Sequence, residues 1–534
     1  MMKRHRCSQV LRLLSMAALF CLTVGCRARE IAPPLSTAPS EPASNVESPQ
    51  SIVPPTHRSI ALPPPATRSH TTLWVALADH LGAEEQMPVL ELVSAGAPLQ
   101  LRDGSGRQWS ASRLQVRWRA VAIPPQSLAR WVSGPYASFE SAERIAKLWR
   151  SLSVNAQVAH PGEWEVWAPI DAAVPEGVRV QEWSAVVTQQ IRPVLELPEG
   201  GHSVEGTLLI NAPDGLRWAD GLYRGPFRLQ PDAYGSWTLV EQVPLERYLE
   251  GVVPHEIGAS SPEAALQAQT VLARTWALAN SHRFAIDGYH LCSDTQCQVY
   301  SDPRFAGASV RQAIAATAGR VLSWQGTPIS AVYHASNGGV MASGPEAWSM
   351  AAVPYLAARP DGEMAWMETY PLPLNEQQSV LRMLQDRQGA YGSSHPRFRW
   401  TRSYSAADIL NALGQEGREG RDLQVPLQLR VGERGVSGRV LALEIVGATD
   451  AARVVLRLDR IRRTLPRLPS TLFVLQEQGP DRWTFVGGGF GHGAGLSQAG
   501  AIDLAYRGWT TERILSHYYP GTVYGALNPP MQDP

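Results

Sequence analysis

The chain is 534 residues long, with 48 Lys plus Arg against 48 Asp plus Glu and a formal net charge of zero. That length predicts two or three domains, and the balanced charge argues against a duplex nucleic-acid binder, which carries a basic surplus. With 44% hydrophobic and 18% charged residues there is ample material for buried cores, and 17 tryptophans give carbohydrate stacking some weight beside ordinary packing.

The first 26 residues read as an export signal. Lys3, Arg4 and Arg6 precede a short apolar run, Val10 to Val24, that ends at Gly25-Cys26. The run is too short and wrongly flanked for a stable membrane span. Gly before Cys26 resembles a lipoprotein processing site, although Thr23 stands where Leu is usual. Lipidation of Cys26 and simple secretion or an uncleaved anchor therefore both stand. Either way the mature protein is expected outside the cytoplasm, in the periplasm or cell envelope and in the first case held to the membrane. Residues 27–71 are rich in Pro, Ser, Thr and Ala and cannot bury enough surface to fold, so they are expected to be a disordered tether.

Order is expected from Thr72. Thr72-Leu-Trp-Val-Ala-Leu, Val89-Leu-Glu-Leu-Val and Leu99 to Trp109 alternate as strands with a hairpin turn, which makes 72–129 a β-rich part. Within 130–170 the pattern is strand, helix, strand, strand, with the helix from Ser138 to Leu152 capped by Ser138 or Ser141. This order resembles one half of a SPOR (sporulation-related repeat) domain, a glycan-binding βαβ module. From Gly201 to Val243 alternating runs and Asp-Gly or Tyr-Gly turns again predict strands.

A helix-like run from Leu245 to Val253 then ends at Pro254, and a second helix is expected from Pro262 to about His282, opened by a serine cap, a first-turn proline and an early acid in Ser260-Ser261-Pro262-Glu263. Glu256 falls in the corner between them. A carboxyl in a semi-apolar corner can have its pKa raised and act as a general acid, while a capping or salt-bridging glutamate is the plainer reading. Ala265, Leu266, Gln269, Leu272, Trp276 and Ala279 share one face of the second helix, and Arg274 lies off that stripe, where a solvated side chain is expected.

Next come His290, Cys292 and Cys297, the two thiols being the only cysteines outside the N-terminal segment. They could hold a structural zinc with the histidine, although the spacing is not the usual one and no fourth ligand is evident; in an oxidising compartment a Cys292–Cys297 disulfide is the other reading. A helix from Val310 to Thr317 and a strand lead to His334-Ala-Ser336-Asn-Gly338-Gly339, a polar loop at a strand end where a site residue or a buried structural histidine would fit. The stretch from Tyr370 to Leu475 shows helix and strand without a chemical signature. Beyond it, Gly487-Gly-Gly-Phe-Gly-His492-Gly-Ala-Gly-Leu-Ser497-Gln498 is dense in glycine, as where chain and ligand approach closely. A dinucleotide loop is disfavoured because no acid follows at the expected distance. A helix from Ser497 to Arg507 follows.

Five segments in order, Pro244 to Glu256, Glu263 to Thr275, Cys297-Gln298-Val-Tyr300, His334 to Gly339 and Gly491 to Gly500, resemble the SpoIID/LytB family, named for stage II sporulation protein D and the amidase enhancer. The resemblance covers roughly 200–525. It implies an α+β fold, with a β-rich SpoIID-like body and a helical active-site corner, to which 130–170 adds a SPOR-like α/β insert. It also implies a peptidoglycan lytic transglycosylase that cleaves MurNAc–GlcNAc bonds of peptide-stripped glycan strands and leaves 1,6-anhydro-MurNAc ends, with Glu256 as the catalytic acid/base. A non-catalytic, glycan-binding enhancer of a cell-wall amidase is the alternative. Arg274, Gln298, Tyr300, His334, Ser336, His492, Ser497 and Gln498 match family motifs and are expected to bind substrate; His334-Ala-Ser-Asn departs from the more usual His-Ser-Thr, which leaves the role of Ser336 open. Some members hold zinc through the cysteine loop, but Gln296 stands here where a further histidine would help. No cofactor is required by this chemistry. Expected partners are glycan strands and, on the alternative reading, an amidase.

Overall fold

A computed structural model describes residues 72–526 apart from 84–87, 416–419, 421 and 450, together with residue 63. The expectations for the signal segment, for lipidation of Cys26 and for the tether up to residue 71 lie outside the described residues, residue 63 aside.

The alternating runs of the first third pair into two sheets. The first is six-stranded and antiparallel. It is built from β1 (Thr72–Leu81), β2 (Trp237–Pro244), β3 (Phe227–Pro231), β4 (Leu208–Asn211), β5 (Leu99–Arg102) and β6 (Gln108–Ala111), in that spatial order. Leu73 pairs with Val243 on the face of the main core, and Ala76 pairs with Val240 on the opposite face, which packs with residues 139–168. The second sheet is organised by one 24-residue strand, Arg113–Tyr136. Its first turn of residues pairs with Leu90–Ser94, its last with Trp164–Pro169, and Gln181–Leu197 runs beside nearly its whole length. The expected boundary at 129–130 thus falls inside a continuous strand.

The strand–helix–strand–strand order expected for 130–170 is present. Helix α1 (Phe139–Ser151) starts at Ser138, whose hydroxyl accepts from Ser141 N–H at 3.3 Å. Phe139, Ala142, Ala146 and Trp149 pack with Trp164 and Val166, and the same cluster takes in Ala76, Val240, Phe284, Tyr289 and Cys292 of the body. The insert therefore shares a core with the body and is not a separately hung module.

Helix α2 (Leu245–Val253) stops where expected, because Pro254 has no N–H to continue the ladder. The chain makes one wide turn over Pro254–Gly258 and enters α3 (Glu263–Ala279). The expected serine cap does not form. Ser261 instead donates to Ile257 O at 2.7 Å and closes the turn, which leaves Pro262 as an N-cap without a side-chain bond. The helix ends three residues before His282, where Asn280 turns back its side chain onto Trp276 O at 2.9 Å.

Packing against α3 from several sides buries residues that its apolar stripe left outside. Arg274, expected in solvent, is 1% exposed. Its guanidinium donates twice to Glu246 of α2, at 2.8 and 2.6 Å, and once to Arg320 O at 3.1 Å. It ties α2 to α3 on either side of the Glu256 turn. Beyond residue 342 two three-stranded sheets, Arg399–Ser405 with Arg482–Gly488 and Phe473–Gly479, and Gln428–Arg434 with Val440–Val446 and Arg453–Arg457, form a further core around Ile409, Leu443, Phe473 and Phe485.

Removing the Arg274 side chain leaves a buried carbonyl and the Glu246 carboxylate without their donors. Arg274→Ala is expected to cost about 2–4 kcal/mol of stability, read by denaturant unfolding, and Arg274→Lys to recover only part of it.

Candidate active site

Three stretches of chain meet around Glu256. The turn that carries it lies between α2 and α3, with Ile257 anchored in the main core. Opposite it, the Cys292–Cys297 disulfide closes a short loop, and the next residues run past the turn so that Val299 N–H donates to Glu256 Oε1 at 3.0 Å. The third stretch is the pairing of Tyr333–His334, in parallel, with Leu496–Ser497, continued by Ser336 against Phe490. This brings the His334 loop and the glycine-rich segment side by side.

Two buried side chains from outside these motifs brace that pairing. Arg439, fully buried, donates to the carbonyls of Asn337 and Val340 at 3.0 and 3.1 Å. A Cβ at Gly493 (φ +87°) would sit 2.2 Å from that guanidinium, so only glycine fits there. Asp361, also fully buried, accepts from Asn337 Nδ2 at 2.6 Å and from Tyr518 hydroxyl at 3.1 Å, and lies 2.7 Å from His517 Nε2.

The result is a cavity of about 460 Å³ whose wall includes Glu256, Gln298, Val299, Tyr333, His334 and His492. The N-terminus of α1 (Ser138 to Glu140) and the helix Asp459–Thr464 close its other sides. Its acidic side chains divide sharply. Glu140 is ion-paired with Arg283, and Asp459 accepts from Arg462 at 2.9 Å and lies 3.4 Å from Arg463. Glu256 has no cationic partner among the described residues. Burial raises its carboxyl pKa above the ordinary range; Val299 N–H, Tyr333 and Gln498 work in the opposite direction without cancelling it. The Tyr333 hydroxyl lies against this carboxyl but makes no well-formed hydrogen bond of its own.

Both histidines are held neutral. His334 Nδ1 donates to Ala494 O at 3.1 Å, which leaves Nε2 as a bare acceptor without a partner at the cavity. Burial, with His492 and Arg439 nearby, holds its pKa far below the usual value. His492 donates from Nε2 to Tyr333 O at 2.8 Å and accepts Ala494 N–H on Nδ1 at 3.2 Å, and burial lowers its pKa to about 4. It latches the two loops together, while His334 Nε2 is buried without a hydrogen-bond partner.

Of the other expected binding residues only Gln298 touches the cavity wall. Arg274 braces the helices as described. Tyr300 donates to buried Glu241 at 2.8 Å and stacks on Tyr248, with ring centroids 5.0 Å apart. Ser336 accepts Gly338 N–H at 3.4 Å and shapes the turn, and Ser497 caps the next helix by accepting Gly500 N–H at 3.2 Å. The Gln298 amide faces inward, between Tyr248 hydroxyl and Ala273 O, each at 3.2 Å. Gln498 stands behind Glu256 and reaches Gln269 at 3.3 Å.

The zinc reading does not fit these residues. Cys292 and Cys297 are bonded to each other, and His290 Nδ1 accepts Trp74 N–H at 3.0 Å. Among the described residues no group of three or more His, Cys, Asp or Glu side chains is placed to hold a metal ion. Gln296 accepts from Trp164 of the insert at 3.2 Å, which ties the disulfide loop to that unit.

The strand-rich α+β body thus holds, in one groove, a carboxyl with a raised pKa and no cationic partner among the described residues, the profile of a candidate general acid. Residues 233–324 match the family model described as stage II sporulation protein, and residues 342–495 match a domain of unknown function, DUF8618. The chain is 27% identical over 354 residues to stage II sporulation protein D of Bacillus subtilis, covering 63% of this chain and 90% of that protein. It is 27% identical over 296 residues to the amidase enhancer of the same organism, covering 52% of this chain and 40% of that protein. A match to stage II sporulation protein D of Bacillus amyloliquefaciens is 28% identical over 298 residues, 53% of this chain and 74% of that protein. The chain is thus similar to stage II sporulation protein D and to the amidase enhancer, with the stage II sporulation protein domain at residues 233–324.

A raised carboxyl pKa means that the folded state favours the protonated form, so Glu256 costs stability when it must ionise. Glu256→Gln is therefore expected to raise the apparent melting temperature at pH 7. The gain should shrink to nothing below about pH 4, where the carboxyl is protonated in folded and unfolded chains alike. Thermal scans of both proteins across that range check this.

Proposed function

We propose that this protein is a lytic transglycosylase of peptidoglycan glycan strands, with Glu256 as acid and then base. The observation that carries the proposal is that Glu256 is the cavity's one acid without a cationic partner and has its pKa raised. Glycosidases of the ordinary kind need two carboxylates, one of them free to attack or to activate water. Here the other two acids in the wall are tied up by arginines.

Protonated Glu256 gives its proton to the oxygen linking MurNAc C1 to GlcNAc, and that C1–O bond breaks. The resulting carboxylate takes the proton from the MurNAc C6 hydroxyl, and O6 closes onto C1 to form the 1,6-anhydro ring. Proton and bonds balance without water. Val299 N–H supports the carboxylate stage, when charge has to be borne in a dry corner. The free Nε2 of His334 is an acceptor suited to a sugar hydroxyl. The expected export would accord with this substrate and with the disulfide, which persists in oxidising compartments.

The second reading, a non-catalytic enhancer of a cell-wall amidase, is favoured by the name of one relative, of which this chain matches 40%. The two part on a single assay. Purified protein incubated with stripped glycan strands is expected to yield anhydro-MurNAc ends by mass spectrometry, at a rate that falls as pH rises through the raised Glu256 pKa. Glu256→Gln should lower that rate roughly 10²–10⁴-fold. Equal behaviour of wild type and variant would leave the enhancer reading in place. Tyr333→Phe, which removes the hydroxyl against the carboxyl, is expected to slow turnover about ten-fold while strand binding is unchanged.

A further inference from the structure

The cavity at Glu256 does not end at the α1 terminus. A second cavity, of about 240 Å³, shares Ala137, Ser138, Trp348 and Asp459 with it and continues between α1 and the strand end at Arg457. Its walls come from the insert and from residues beyond 342, both outside the stretch that matches the stage II sporulation protein model. Trp348 stands between the two spaces, with its ring 4.5 Å from that of His492.

The chemistry of this second wall is distinctive. Trp348, Tyr136 and Ile145 provide apolar faces of the kind that pack on a pyranose ring, and Ser138, Ser141 and Ser349 add hydroxyls. Arg144, Arg457 and Arg460 stand against a single acid, Asp459, which is already engaged by Arg462. Arg144 is exposed and has no ion pair among the described residues. Arg457 holds Glu433 at 3.1 Å in an exposed pair, a contact weak enough for an incoming anion to replace. Two available guanidinium groups beside an aromatic platform fit a sugar that carries a carboxylate.

We infer that this second cavity is a further subsite of the glycan groove, in which Arg144 and Arg457 hold the free lactyl carboxylate of a stripped MurNAc residue packed on Trp348. The inference rests on the glycan-strand reading above. In an intact strand that carboxylate is locked in an amide to the stem peptide, so the subsite would select strands by their missing peptides. The insert then acts as a wall of the groove and not as an independent binding module.

Binding is measured with the full chain carrying Glu256→Gln, so that strands stay whole. Three probes are compared: stripped strands, the same strands with lactyl carboxyls converted to methylamides, and strands that keep their stem peptides. Stripped strands are expected to bind about ten-fold more tightly than the other two. Adding Arg144→Ala and Arg457→Ala, both on exposed side chains, should bring stripped strands down to the methylamide level and leave methylamide binding unchanged. Equal binding of stripped and methylamide strands overturns the inference, as does an equal loss on both in the arginine variant. Peptide-bearing strands that bind as tightly as stripped ones overturn the lactyl assignment. Wild-type protein that releases anhydro ends from both stripped and methylamide strands at equal rates keeps the enzyme and loses the subsite. Carboxylate-dependent binding without anhydro ends from any strand does the reverse.

Discussion

A groove carboxyl taken largely out of water without a counter-ion among the described residues is the constraint on which the rest of the site depends. An ionised carboxylate in a dry corner is expensive, and most proteins resolve the cost with an arginine. Here the neighbouring arginines are committed elsewhere. Arg274 is spent on Glu246, Arg283 on Glu140, and Arg462 and Arg463 on Asp459. Glu256 is left with neutral neighbours only, the Val299 N–H, Tyr333 and Gln498, and burial raises its pKa in spite of them. The surrounding architecture keeps that arrangement fixed: a proline-ended helix before it, a serine-closed turn after it, and a disulfide that positions the Val299 amide opposite.

The groove is a joint product of regions far apart in the chain. The family-matching stretch supplies the acid and its helices, but the loops facing it are held by Arg439 and Asp361, and one wall belongs to the Asp459–Thr464 helix. The insert closes the remaining side, and its Trp164 and Glu163 reach the disulfide loop and Arg463. Because the insert shares a core with Ala76, Val240 and Cys292, its position relative to Glu256 is set by packing and not by a linker.

Much of the local order was legible in the residues. The stop at Pro254, the cap at Ser138, the strand alternation from Thr72 and the helix behind Ser497 all follow from short-range chemistry, and each is found where expected. Where local reasoning failed, tertiary packing had changed the balance. Ser261 looked like a cap, but a carbonyl four residues back was closer in the folded turn. Arg274 looked solvated because it lies off the apolar stripe, yet α2 and the neighbouring strand cover that face. Tyr370 to Leu475 showed no chemical pattern, since Arg439 bonds carbonyls about a hundred positions away and the Asp459–Arg462 pair meets the rest of the cavity wall only in the folded chain.

By itself the sequence determined the family motifs, the corner that holds Glu256 and the pairing available to the two cysteines of the body, because these depend on neighbours within a few residues. It did not determine which motif residues face the groove. Tyr300, Ser336 and Ser497 share motifs with His334 and His492 but turn inward, to Glu241, to a loop amide and to a helix end. Nor could it reveal that, of the acids described in the groove wall, Glu256 is the one without a cationic partner, since that depends on where every arginine in its vicinity ends up. Pairing of charges is a property of three-dimensional distance, and only the folded chain assigns it.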